Sequence, residues 1–348
     1  MTTNTLASNL YFQDILVQPA ALRDTVAALP SAATLAPFAE RLASGELRRV
    51  VLTGMGSSYH IHNPLMLTLI ERGLSAQIME TSELIHYAPT LIELRTLIIA
   101  VSQSGRSAEI IRLLEMARGR APLISVTNSP DSPLAKESDV TILTHAGEEF
   151  SVSCKTYVTA LAALAWLADI LTRTPVRATL TALAGVPPAV EQYLSRWATH
   201  VETLRDRLDG VRTITFVGRG PSLAAVGTAA LTTKESAHFP AEGLSSAAFR
   251  HGPLEMTDSR HFVLVYCGPE RTAALNARLA DDIRAAGGRV GLVCESTSSD
   301  VFSLPPAPEV VLPILEILPA QMVTLALAQL QGHEPGRFEH AQKVTLVE

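Results

Sequence analysis

The sequence predicts an α/β protein with two doubly wound parallel-sheet domains related by internal duplication, and three observations carry the prediction. Arg49–Thr53 (RVVLT) runs into the small-residue loop Gly54-Met55-Gly56-Ser57-Ser58, and Thr213–Val217 (TITFV) runs into Gly218-Arg219-Gly220-Pro221-Ser222. Gly54 and Gly218 are 164 residues apart, and the same offset carries Ile98–Val101 onto Phe262–Val265. Continuous apolar strands alternate with helix-length segments, which requires a parallel sheet covered on both faces. Two features at one offset are the mark of a duplication.

The elements follow in chain order. Asn9-Leu10-Tyr11-Phe12-Gln13 resembles part of a protease tag site, so residues before Phe12 carry no weight, whereas Asp14–Leu29 reads as mostly helical. An N-terminal helical segment is expected over 1–34 and a first domain over 35–185. Its strands are Arg49–Thr53, Ile98–Val101, Leu123–Val126 and Val140–Leu143, with a helix over Ala108–Arg118. Helices rich in alanine and leucine at Thr156–Leu171 and Glu191–Leu208 join the halves, with a turn at Pro187-Pro188 between them. The second domain, 186–335, takes strands at Thr213–Val217, Phe262–Val265, Arg289–Val293 and Val310–Leu312 and a helix at Leu223–Ser236. Residues 336–348 form a tail. In such sheets ligands bind at the carboxyl ends of the strands.

Composition narrows the function. Of 348 residues, 47% are hydrophobic and 18% charged, which excludes a disordered or fibrous chain. The net charge of −6 argues against a nucleic-acid partner, which needs a clustered basic face, and 5% aromatic residues are too few for a base-stacking platform. Mean hydropathy is positive, yet the densest apolar stretch in this reading, Tyr157–Leu171, falls short of the roughly 18 residues a bilayer span needs. No membrane partner is expected, and with no secretory start the chain reads as cytoplasmic. Cys154, Cys267 and Cys294 are few, odd in number and widely spaced, which fits a reducing compartment with no zinc knuckle or disulfide framework. His60-Ile61-His62 has no acidic or thiol partner nearby, so neither a metal nor a cofactor is expected. The GMGSS loop lacks the full order of a dinucleotide fingerprint.

The chemistry begins at Ser102-Gln103-Ser104-Gly105-Arg106-Ser107, between the strand ending at Val101 and the helix from Ala108. Alternate serines, one glycine and a helix N-terminus gather hydroxyls and N–H groups around a point that favours a phosphate. A serine-rich turn that only caps the helix is the alternative. The matching place in the second half, Tyr266-Cys267-Gly268-Pro269, has lost the serines.

SQSGRSAE and the preceding GMGSS, with KES at Lys234–Ser236, RHGPLE at Arg250–Glu255 and a terminal KVTLVE, closely resemble the sugar isomerase (SIS) domain family. Within it, the chain from about residue 35 to Glu348 looks like the isomerase half of glucosamine-6-phosphate synthases. The resemblance implies that Ser102, Gln103, Ser104 and Ser107 hold a sugar phosphate. It has Ser58 touch the sugar or its phosphate, against the alternative of a helix N-cap before His60. Ser153, in SVSCK, resembles a family serine that contacts sugar hydroxyls.

The resemblance makes Glu235 the acid/base that moves a proton between sugar C1 and C2, a task suited to a partly buried carboxylate. Without it, a glutamate beside Lys234 reads as a solvated helix residue. His251, sixteen residues on, is implied to open the sugar ring, although a histidine before Gly-Pro also suits a cap. In relatives this histidine reaches the neighbouring subunit's site, so a homodimer is implied. Lys343 takes the place of the family's tail lysine, the candidate Schiff-base or ring-opening amine, where the bland alternative is a solvated terminal lysine. Two positions depart from the pattern: Thr232 replaces a family lysine three residues before Glu235, and Gly336-Arg337-Phe338-Glu339 replaces a proline-arginine pair.

The synthases carry a glutaminase domain with a cysteine after the initiator methionine. Here Thr2 follows Met1, and the sequence reads as having no room for such a domain upstream. The expected activity is therefore that of an amino-sugar-phosphate isomerase/deaminase, which turns a glucosamine 6-phosphate type of substrate into a ketose 6-phosphate and ammonia. A phosphorylated-fructosamine deglycase, an ammonia-dependent synthase and a non-catalytic sugar-phosphate sensor are the alternatives. Against the sensor, Phe12–Arg41 offers no basic recognition helix, and Glu235, His251 and Lys343 are retained together.

Overall fold

Val50, Val51 and Leu52 are wholly buried at the centre of β1 (Arg49–Gly54), as a strand covered on both faces requires. It belongs to a computed structural model that describes residues 6–345 and Val347 and divides into two units. One unit comprises Ala20–Glu148, Lys155–Ala184 and the chain from Gln342; the other comprises the chain up to Pro19, Glu149–Cys154 and Gly185–Ala341.

In the first unit, β1 is joined by β2 (Ala76–Glu80), β3 (Thr96–Val101), β4 (Leu123–Thr127) and β5 (Val140–Leu143) in the order β2-β1-β3-β4-β5, all parallel. The chain reverses its direction of travel through the sheet between β1 and β3, so a crevice opens at their carboxyl ends. Helix α1 (Ala108–Ala117) lays Ile110, Leu113 and Leu114 on Val51, Ile98 and Leu123 of one sheet face. Helix α2 (Lys155–Leu171) is buried along most of its length.

The second unit repeats the order in β6 (Thr213–Gly218), β7 (Ala241–Ser245), β8 (His261–Tyr266), β9 (Arg289–Glu295) and β10 (Ser303–Leu304), arranged β10-β9-β8-β6-β7 and again parallel. Val217, Val263 and Val265 pack with Phe249, Leu279 and Ile283. The repeat expected from the sequence is thus present as two sheets with matching connections.

Several expectations need correction. Pro187-Pro188 is not a turn: both prolines lie inside α3 (Arg177–Leu194), where buried Val186 and Val190 hold the helix on course despite two lost ladder donors. The helix expected over Glu191–Leu208 is broken after Leu194 and resumes as α4 (Trp197–Leu208). Helix α5 (Leu223–Ala237) follows the β6 loop as expected. Val310–Leu312 is not a strand but the entry to α6 (Leu312–Gln331), since a short apolar run does not separate the two conformations. The helical segment Glu309–Gln331, rather than Tyr157–Leu171, is long and apolar enough to cross a membrane, but 94% of its most apolar 18-residue stretch is buried in the protein, with α4 and α5 packed on it. Cys267 and Cys294 form a disulfide, Cα atoms 5.3 Å apart, because parallel pairing of β8 and β9 sets their ends side by side.

Residues 6–11 also regain their weight. Asn9 caps the helix Leu10–Leu16 by accepting from Phe12 N at 2.9 Å, and its amide donates to the Pro335 carbonyl at 3.0 Å. Leu6 and Tyr11 are fully buried.

Within α6, Glu316 is 1% exposed and accepts from the Ser222 hydroxyl at 2.8 Å, and burial pushes its carboxyl up to about 8 from an ordinary value of 4.5. The folded chain then keeps a proton that the unfolded chain releases, so stability falls as pH rises from 4.5 to about 8. Glu316→Gln keeps an acceptor for Ser222 and removes the titration. Scanning calorimetry should show the variant gaining on the parent in melting temperature between pH 5 and pH 8; a constant difference would refute this account of Glu316.

Candidate active site

Gly54 ends β1 where a side chain has no room: an added Cβ would lie 2.6 Å from the Ser58 carbonyl oxygen and 2.9 Å from that of Val101. This close approach presses the β1 loop onto the end of β3, so the helix Ser57–His60 and the segment starting at Ser102 begin side by side. The N-cap of Ser57–His60 is Gly56, and Ser58 lies inside the helix with its N–H bonded to Met55 O at 3.1 Å. Ser58 is therefore not the cap. His62 is wholly buried and its Nε2 is hydrogen-bonded to Thr53 O at 3.0 Å; burial lowers its pKa to about 4, so the ring is neutral and packed under β1.

The serine loop is built on the β3 end by its own hydrogen bonds. Ser102 N donates to Val126 O at 3.1 Å, Gly105 N donates to the Ser102 hydroxyl at 3.1 Å, and Arg106 N donates to the Ser104 hydroxyl at 3.3 Å. The Gln103 carbonyl accepts from Asn128 N, Thr127 Oγ1 and Ser129 Oγ, each at 3.2 Å. Those three contacts turn the Gln103 carbonyl towards the β4 loop. Gly105 has a φ of +60, and a Cβ there would stand 2.4 Å from Ser132 Oγ.

Ser107 holds the N-cap position of α1 with extended backbone, yet its hydroxyl makes no capping bond. Among the described residues, the N–H groups of Ser104 and Ser107 have no protein acceptor. A cap-only turn would commit these groups to the helix, so the geometry favours an anion cradle at the positive end of α1. The tail meets the same place: Ala108 N donates to Thr345 O at 3.1 Å, and Lys343, two residues earlier, is partly buried. Ser102, Gln103, Ser104, Ser107 and Lys343 thus fall in one unit, with Ser58 on the adjoining loop.

Glu235, Ser153 and His251 belong to the other unit. Glu235 is partly buried on α5, and its carboxyl is pushed up to about 7. Burial is the main cause, the Lys234 ammonium pulls it down, and the Glu149 carboxylate pushes it up again. This is a carboxyl poised to hold or release a proton at neutral pH. Glu149 is 4% exposed and accepts from Cys154 N at 2.9 Å, which closes the turn that carries Ser153. Tyr11 shares this neighbourhood. Its hydroxyl is hydrogen-bonded to Thr324 Oγ1 at 3.2 Å, and burial, then Cys154 and Glu235, drives its pKa far up. Thr232 is buried with its hydroxyl on Ala229 O at 3.2 Å, so it supplies no substitute for the family amine. His251 is exposed at the end of the helix Ser246–Arg250, and no hydrogen bond or ion pair joins it to Glu235 among the described residues.

Sequence reasoning missed Glu149 and Tyr11. Glu149 stands four residues before Ser153 and was open to notice as a second carboxylate near a motif; Tyr11 gave no signal.

Residues 46–169 match the SIS domain family. The chain is 29% identical to the glutamine–fructose-6-phosphate aminotransferase (isomerizing) of Pyrococcus horikoshii over 348 residues, covering 97% of this chain and 57% of that protein. It therefore spans less than two thirds of that relative. Among solved structures it resembles the C-terminal domain of glucosamine-fructose-6-phosphate aminotransferase from Francisella tularensis, with a TM-score of 0.83, 20% identity, and 93% of this chain and 97% of that one covered. It also resembles glucosamine-6-phosphate deaminase from Thermotoga maritima, with a TM-score of 0.78, 19% identity, and 97% and 99% covered. At those identities the structural likeness establishes a shared fold.

Proposed function

We propose that the protein is a phosphosugar isomerase that deaminates an amino-sugar phosphate of the glucosamine 6-phosphate type to a ketose 6-phosphate and ammonia. The observation that carries the reading is Glu235, whose carboxyl is raised to about 7 on a partly buried helix face. Ser102, Gln103, Ser104 and Ser107 bind the phosphate, Ser58 assists them, and Ser153 contacts the sugar hydroxyls. His251 opens the ring, exposing the C1 aldehyde. Glu235 then takes the proton from C2, giving an enolamine, and returns it to C1, leaving an imine at C2. Water adds at C2 and ammonia leaves, so one water is consumed and no oxidant or reductant is needed. Lys343 assists at the carbonyl from the tail.

The reading takes the protein to be a cytoplasmic homodimer in which His251 serves the neighbouring subunit's site, consistent with its exposure and its lack of bonds to Glu235. Incubation with glucosamine 6-phosphate should release ammonia and fructose 6-phosphate in equal amounts. Neither product, with binding of fructose 6-phosphate intact, would reject the deaminase and leave a deglycase or a sensor.

A further inference from the structure

Where α5 and α6 end, three side chains outside the site converge. His238 is the left-handed C-cap of α5, with a φ of 50, and His333 follows Gly332, the left-handed C-cap of α6. Glu339 comes from the segment beyond them. One ligand atom of each lies within 4.8 Å of the other two. The rings of His238 and His333 are 4.9 Å apart.

The hydrogen bonding of His238 gives this cluster its meaning. Its Nε2–H donates to the Arg337 carbonyl at 3.1 Å, which leaves the lone pair of the neutral ring on Nδ1. Nδ1 lies 4.0 Å from Glu339 Oε1. A lone pair and a carboxylate facing each other repel unless a cation stands between them. A ring nitrogen tied to a backbone carbonyl, with the other nitrogen turned to a carboxylate, is the arrangement that orients a histidine ligand.

We propose that His238, His333 and Glu339 bind a divalent transition ion of the zinc class. Two donors about 2.0–2.1 Å from a tetrahedral zinc are separated by roughly 3.4 Å, so small side-chain movements close the set and leave one position to water. Side-chain exposures of 27% for His238 and 51% for Glu339 give an ion entry. The bound ion would also fasten the 333–339 segment, where Gly336 N already donates to Ser236 O at 3.1 Å, one residue past Glu235.

The test is calorimetric titration of the full chain with zinc chloride, at neutral pH and again at pH 5.5, with melting temperature read alongside. One ion per chain, a raised melting temperature, weaker binding at pH 5.5, and an affinity loss of ~10–100-fold or more in both His333→Asn and Glu339→Gln are expected. His340→Asn, beside the cluster, should bind as the parent does. Absence of saturable binding would overturn the proposal. Equal affinity in both ligand variants, their folds checked by circular dichroism, would overturn it too. None of these readouts depends on the sugar chemistry.

Discussion

Glu235→Gln should lower turnover of glucosamine 6-phosphate by ~10²–10⁴-fold and leave fructose 6-phosphate binding within a small factor of the parent. The amide keeps the shape of the carboxyl but neither takes nor returns a proton. The parent should also show the titration of this group. With the carboxyl at about 7, the basic form dominates above that value and disappears below it, so kcat/KM should fall about tenfold per pH unit on the acid side of 7. Glu149 is a positioning residue in this account. Burial is the main cause of the raised value and the Glu149 charge adds to it, so Glu149→Gln, which keeps an acceptor for Cys154 N, should move the acid limb somewhat to lower pH with the fold intact. A limb that stays in place would mean that burial alone sets the value.

Gly105→Val should remove sugar-phosphate binding and destabilise the protein by roughly 2–5 kcal/mol. Two effects act together. A β-branched residue is strained at a φ of +60, by about 1–2 kcal/mol, and its Cβ would stand 2.4 Å from Ser132 Oγ and 3.0 Å from Leu134 Cβ, an overpacking worth about 1–3 kcal/mol. Ser132 does not yield easily, since its hydroxyl donates to Ser129 O at 2.7 Å and accepts from Ala135 N at 3.2 Å. Gly45→Val isolates the first effect: Gly45 has a φ of +75 with nothing within 4 Å of its added Cβ. Titration with fructose 6-phosphate should give no heat for the Gly105 variant and normal binding for the Gly45 variant. Normal binding in both would mean that the loop does not hold the phosphate.

The strands that the sequence made legible are those buried on both faces. β1, β3, β4, β6 and β8 are continuous apolar runs bounded by turn residues, the pattern of strands covered on both faces. β2, β7 and β10 escaped notice because they stand at or near sheet edges and are half-solvated, so Ala76–Glu80 and Ala241–Ser245 carry polar residues on their open sides. β5 is also an edge strand, and was readable because Val140–Leu143 keeps an apolar sequence. Val310–Leu312 misled for the opposite reason: its apolar residues open a helix so buried that it shows no polar face.

For the candidate site, local order was legible and tertiary environment was not. The serine loop is contiguous in sequence, and its hydrogen bonds run within the loop and to the next strand. The raised carboxyl of Glu235 depends first on burial that no local pattern encodes, and secondarily on Glu149, 86 residues away. The Cys267–Cys294 pair is the same case, its partners 27 positions apart in sequence and brought together by the strand register alone.

The central claim is that Glu235 moves a carbon-bound proton of a phosphosugar. It is tested most directly by incubating the protein with fructose 6-phosphate and ammonium chloride in deuterium oxide and following the C1 protons by nuclear magnetic resonance. The account predicts loss of one C1 proton signal with the parent protein and its persistence with Glu235→Gln, while both proteins bind the sugar. Exchange that survives unchanged in Glu235→Gln, or no exchange in a parent protein that binds the sugar, would contradict it.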